Sequence, residues 1–175
     1  MLEDWNVIVI GDGDREQELL AALEPDGEFE RSGFRDVVIG HVEDIVEFLE
    51  DAEQGKYPTL QRVIPIEDTF YTSPELLVDR LKMRLERYID EIEPGETFGI
   101  RVERRGMKES ISSMKVEREV GGYFFDLVEK VQGRKPKVNL NHPDKLIAIE
   151  IIGNQCGIGF ITREMLEKYR VIKVK

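Results

Sequence analysis

A chain of 175 residues, 41% apolar and 35% charged, is long enough to bury a core in one domain or two small ones, and its composition is that of a charge-rich soluble protein. No apolar run approaches the ~18 to 20 residues of a membrane-spanning helix, and the acidic start MLEDWNVIVIGDGD lacks the basic flank of a secretory signal, so a cytoplasmic location is expected. The net charge of −11 is uneven: Met1 to Leu60 carries 4 Lys and Arg against 17 Asp and Glu, whereas Gln61 to Lys175 carries 21 against 19. An acidic total therefore does not exclude a polyanionic partner for the second part.

In chain order, WNVIVIGD reads as a buried strand ending at Gly11, and DGDREQELLAALEPDG as a helix with an acidic first turn and a Pro-Asp-Gly stop. GEFERSG and FRDVVIG read as two short strands. HVEDIVEFLEDAEQG places Val42, Ile45, Val46 and Leu49 at helical spacing, and LQRVIPIE is a further strand. Strand, helix, strand, strand, helix, strand is the order of a ferredoxin-like split βαβ unit, here expected over residues 1–68.

TSPELLVDRLKMRLERYIDEIEPGE predicts a helix capped by Ser73, with Pro74 in its first turn and a stop at Pro94-Gly95. Arg80, Arg84 and Arg87 border its apolar face, as a solvated edge or as part of a binding surface. TFGIRVERRG alternates Phe98, Ile100 and Val102 with Gly99, Arg101 and Glu103, predicting a half-buried strand whose second face meets solvent, with a turn at Arg104-Arg105-Gly106. After Ser112-Ser113 the helical period returns through Val116, Val120, Tyr123, Phe124 and Leu127. Gly121-Gly122 lies inside it, at about 1 kcal/mol per glycine relative to alanine, so close packing is the expected reason and ligand contact the alternative. KVNLNHPD reads as a short strand and turn, KLIAIEIIGNQCGIGFI as a hairpin through Gly153-Asn154, and the tail as a helix and a last strand.

Catalytic motifs are missing. GDGD lacks the third glycine of G-x-G-x-x-G and a Walker lysine, and its aspartates repel phosphate. His41 and His142 have no nucleophile or metal-ligand signature around them, and the single cysteine, Cys156, sits among apolar residues as an expected buried thiol. No catalytic residue, metal or cofactor is expected. What remains is a cationic set, Arg101, Arg104, Arg105, Lys108, Lys115 and Arg118, which a strand, a turn and the following helix can bring to one surface. Arginine forks suit phosphate oxygens. The interleaved Glu103, Glu109, Glu117 and Glu119 fit an ordinary salt-bridged surface equally well.

The ordered series RVIPIEDTF, a capped helix, TFGIRVERRG, EREVGG and NHPDKLIAIEIIG resembles the THUMP domain, an RNA-binding module of tRNA-modifying enzymes, over roughly Leu60 to Thr162. Family members often read Asp-x-x-Asn-Pro-Asp in the last segment; here Asn139 and His142 replace the first Asp and the Asn. The resemblance implies an α+β chain: a ferredoxin-like domain over residues 1–68, then a THUMP α/β domain over 69–175 with a short C-terminal helix and strand. It implies tRNA as ligand, with the six cations as RNA contacts. In architecture the chain is similar to stand-alone THUMP proteins that present tRNA to an RNA cytidine acetyltransferase making N4-acetylcytidine. The expected role is that of a non-catalytic adaptor. The alternatives are a tRNA-modifying enzyme acting alone and a protein-interaction module without RNA binding.

Overall fold

The computed structural model describes residues 1–175. The first sheet is built from β1 (Val7–Gly11), β2 (Glu28–Arg31), β3 (Val37–His41) and β4 (Leu60–Pro65), with α1 (Glu16–Leu23) and α2 (Ile45–Glu53) as crossovers. Its order is β2-β3-β1-β4, every neighbour antiparallel, which is the ferredoxin-like arrangement the element order predicts. Asp44 caps α2 by accepting the Glu47 N–H, and Phe48, Leu49 and Ala52 are its buried face.

The second sheet comprises β5 (Asp68–Tyr71), β6 (Thr97–Arg105), β7 (Lys137–Val138), β8 (Lys145–Ile152) and β9 (Gln155–Thr162), in the order β5-β9-β8-β6-β7. β6 runs parallel to β7 and β8; the hairpin β8–β9 turns at Gly153-Asn154 as the sequence predicts. The helices α3 (Leu77–Leu85) and α4 (Ser113–Gln132) share one core with this sheet, and α5 (Arg163–Lys168) follows β9. Ser112 caps α4 by accepting the Lys115 N–H, and Gly133, at φ 72°, ends it in the left-handed conformation that glycine adopts without penalty.

The helix expected from Ser73 to Pro94 is shorter. Its regular part is α3, Leu76 holds the N-cap position without a side-chain bond, and Glu86–Glu91 tighten into a 3-10 segment. The Ser73 carbonyl, not its hydroxyl, accepts the Leu76 and Leu77 N–H groups, so the Ser-Pro pair forms a lead-in turn. The expected last strand is a single parallel bridge between Ile172 and Val63 on β4.

Two hydrophobic clusters explain the layers. In β8, Ile147, Ile149 and Ile151 pack with α3 and α4, whereas Leu146, Ala148 and Ile152 join the core of the first sheet, together with Ile161, Tyr169 and Ile172. The second sheet is thus buried on both faces, which is why β8 reads as a nearly continuous apolar run. Close approach is set by glycine in β9. A side chain at Gly157 would lie 2.6 Å from the Trp5 ring, and one at Gly159 would collide with the Pro65 carbonyl. Trp5 Nε1 donates to Gln155 Oε1 across the same contact.

Candidate nucleic-acid interface

Alternation along β6 decides where its cations go. Phe98, Ile100 and Val102 enter the core under α3 and α4, and Arg104, in register with Ile151, follows them. Arg101, Glu103 and Arg105 point to the opposite face. The strand continues through Arg105 and turns at Gly106, φ 89°, so Arg104 and Arg105 diverge instead of sharing a turn.

The opposite face of β6 meets protein, which corrects the expectation of a solvent face. Arg105, its side chain 11% exposed, bonds Glu150 at 3.2 Å and Glu103 at 3.0 Å. It is committed to the buried Glu150 and the half-buried Glu103 and unavailable to phosphate. Arg101 is half-buried at the rim, donating to the Leu140 carbonyl at 3.1 Å. Arg104 donates Nη1 to the Gly106 carbonyl at 2.9 Å, while its Nε is buried without a partner. Only Lys108, Lys115 and Arg118 are exposed and outside every ion pair. The six cations therefore do not form one surface, because β6 sends Arg104 to one face and Arg101 and Arg105 to the other, and the first sheet covers Arg105.

Around Arg118 lies an open groove of about 360 Å³. β6 contributes Phe98 and Ile100; α4 contributes Met114, Glu117, Arg118, Gly121, Gly122 and Phe125; Val138 and Leu140 form the far wall. The positions 114, 117, 118, 121, 122 and 125 are one helical stripe beside the buried stripe of Val116, Val120, Phe124 and Val128. A side chain built on Gly121 or Gly122 meets nothing within 4 Å. Close packing, the expected reason for the glycine pair, is thus absent; the glycines keep the groove open. Met114 at 70%, Val138 at 52% and Leu140 at 43% exposure make its walls apolar and accessible, as at a ligand or partner site.

The far wall is positioned by its own turn. Asn139 Oδ1 accepts the Asn141 and His142 N–H groups at 2.9 and 3.0 Å, so Asn serves the turn where the family often has Asp. Asp144 accepts the Thr97 N–H at 2.8 Å and its hydroxyl at 3.1 Å, tying this loop to the start of β6. The Thr97 N–H, followed by its hydroxyl and the nearby Arg163 and Lys145, holds the Asp144 carboxyl below its usual range.

The intervening glutamates have separate duties. Glu117 Oε1 accepts the Val102 N–H at 3.0 Å, satisfying the β6 edge beyond its short ladder with β7. Glu119 pairs with Lys82 at 3.5 Å, and Glu103 belongs to the buried cluster. Sequence reasoning passed over Arg134, Lys135 and Lys137, all exposed and free of ion pairs, which lead from the α4 C-terminus into the groove wall. The run RKPK was the available signal, and the carbonyl end of a helix favours such cations. The larger cavity, about 560 Å³ on the first sheet, is lined by Asp26, Glu28, Glu43, Asp44, Glu47 and Asp51 among others and repels phosphate.

Known proteins share the sequence family and the fold of this part of the chain. Residues 78–160 match the THUMP domain family. The chain is 31% identical over 116 residues to the tRNA sulfurtransferase of Serratia proteamaculans (strain 568), covering 66% of this chain and 22% of that protein. It is 29% identical over 127 residues to an uncharacterized protein of Methanocaldococcus jannaschii, covering 71% and 32%. The chain thus spans less than a third of these relatives. Among solved structures, TrmN from Thermus thermophilus shares the fold with a TM-score of 0.58 at 20% identity, over 89% of this chain and 44% of that one. A 4-thiouridine synthetase in complex with RNA and ATP gives 0.57 at 13% identity, over 90% and 41%. The segment from α3 to β9, which bears the glycine-floored groove, is a THUMP domain.

Proposed function

We propose that this chain is a tRNA-binding protein without catalytic activity of its own, which holds folded tRNA for a separate modifying enzyme. The observation that carries the reading is the open groove on α4, apolar in its walls, floored by Gly121 and Gly122, and flanked by cations that no carboxylate neutralises. Unpaired bases suit such walls, because every base has an apolar face that stacks on apolar side chains. Arg118 and Lys137 then meet phosphates along the rim, with Lys115, Arg134 and Lys135 further out and Lys108 beyond the start of α4. Arg101 contributes from the neighbouring rim. The match to a tRNA sulfurtransferase and the shared fold of an RNA-bound 4-thiouridine synthetase support tRNA as the RNA.

A cytidine acetyltransferase that makes N4-acetylcytidine is the proposed partner, from the resemblance to THUMP proteins that present tRNA to such an enzyme. In the proposed division, residues 1–68 form an acidic unit that limits nonspecific RNA binding and residues 69–175 the RNA-binding unit. Binding of purified protein to tRNA between low and raised salt tests the reading. About three to five phosphate contacts, each lowering log K by ~0.7 to 0.9 per decade of salt, give a steep loss. Lack of binding at low salt overturns it. A mass change of tRNA incubated with this protein and acyl, methyl or sulfur donors, with no second protein, replaces the adaptor by an enzyme.

A further inference from the structure

Between the two sheets lies an ionic cluster that RNA binding does not use. Arg62 on β4, Glu103 and Arg105 on β6, and Glu150 on β8 meet there. Arg62 Nη2 lies 3.4 Å from Glu103 Oε1, and its Nη1 donates to the Lys173 carbonyl at 2.9 Å, so it also holds the C-terminal tail. The Glu150 side chain is 1% exposed and those of Arg62 and Arg105 are 10% and 11% exposed. Glu150 Oε1 and Glu103 Oε2 are buried without any partner.

A buried ion pair is stable only when its remaining lone pairs are satisfied, and here two are not. We infer that these four residues form a proton-sensitive latch between the sheets: a proton on Glu150 tightens the junction, and its loss loosens it. Arg62 ties the first sheet and the tail to Glu103, and Arg105 links Glu103 to Glu150 on β8; the other face of β6 supplies Phe98 and Ile100 to the groove. The charged and titratable groups facing Glu150 are Arg105 and Glu103 from β6 and Arg62 from β4. Burial is the main influence, raising the carboxyl to about 7; Arg105 and Arg62 oppose it and Glu103 reinforces it. Below the ordinary carboxyl range both folded and unfolded forms are protonated. From there to about pH 7 only the folded form keeps the proton, so stability falls as pH rises and levels off above 7.

The test is urea unfolding of the full chain and of Glu150→Gln from pH 5 to 8.5, with carboxyl-carbon NMR titration of the unmodified protein. The difference between the two proteins isolates Glu150 from other titrating groups. The folding constant of the unmodified protein is expected to fall relative to the variant by up to about tenfold per pH unit toward pH 7. Glu150 is expected to titrate near 7. Parallel pH profiles for the two proteins, or a Glu150 midpoint in the ordinary carboxyl range, overturn the latch. The NMR arm decides it even if the variant does not fold. Neither readout involves RNA, so failure here leaves the tRNA reading standing.

Discussion

Replacing Gly121 and Gly122 by alanine is expected to stabilise the protein, because each lies in regular α-helix and neither Cβ would touch another atom within 4 Å. Alanine exceeds glycine in an exposed helix interior by about 1 kcal/mol, partly through the smaller entropy of the unfolded chain. Two such changes amount to about 2 kcal/mol, and a chain of this size gains about 2 to 4 °C in Tm per kcal/mol. Urea and thermal unfolding measure this directly. Gly122→Leu extends the test to function: it fills the groove from its floor, and tRNA affinity is expected to drop at least about tenfold, 1.4 kcal/mol, while the protein stays folded. Destabilisation by the alanine variants refutes the open-groove geometry and restores packing as the reason for the glycines. Undiminished tRNA binding by the folded leucine variant refutes the groove as the interface.

Arg118→Glu is expected to weaken tRNA binding and reduce the salt slope by at least ~0.7 without changing stability, whereas Arg105→Ala costs about 3 to 5 kcal/mol by stranding Glu150, while Glu103 keeps Arg62; unfolding and salt titration of the two variants separate the roles. Asp144→Ala removes two hydrogen bonds to Thr97 and is expected to cost about 1 to 2 kcal/mol at neutral pH. Since the folded Asp144 carboxyl lies below its usual range, that stabilisation is present above about pH 4 and fades as pH falls through the depressed value, which unfolding of both proteins from pH 2.5 to 7 reads. Cys156 is fully buried and burial pushes its thiol far up, so maleimide is expected to leave the native protein unlabelled and to react once urea unfolds it. Rapid native labelling at neutral pH contradicts the packing around β9.

The element order of the first sheet and most of the second was legible in the sequence because it rests on local signals; β5, only four residues between LQRVIPIE and the helix lead-in, was not, because its partner β9 lies some ninety positions away. Val7 to Ile10 form an apolar strand halted by glycine, the β8–β9 hairpin carries Gly153-Asn154 at its turn, and Ser112 opens α4 with a serine cap. The THUMP match likewise follows from ordered segments. A period-two pattern establishes which residues share a strand face, so Phe98, Ile100 and Val102 were assigned to one side from sequence alone. What covers each side is non-local. Leu146 and Ala148 belong to a core completed by residues more than a hundred positions away, and the same first sheet and tail turn the Arg101–Arg105 face from a presumed cation surface into a junction.

The sequence by itself determined the α+β class, the succession of the longer strands and helices and the charge difference between the two parts, since propensity, periodicity and composition act over a few residues. Tertiary structure alone decided that Arg105 is sealed among carboxylates, that Arg104 turns away from it, and that Gly121 and Gly122 open a groove beside Arg118. Each of these depends on which atoms fill the space beyond the residue, and that space is set by the packing of segments distant in the chain.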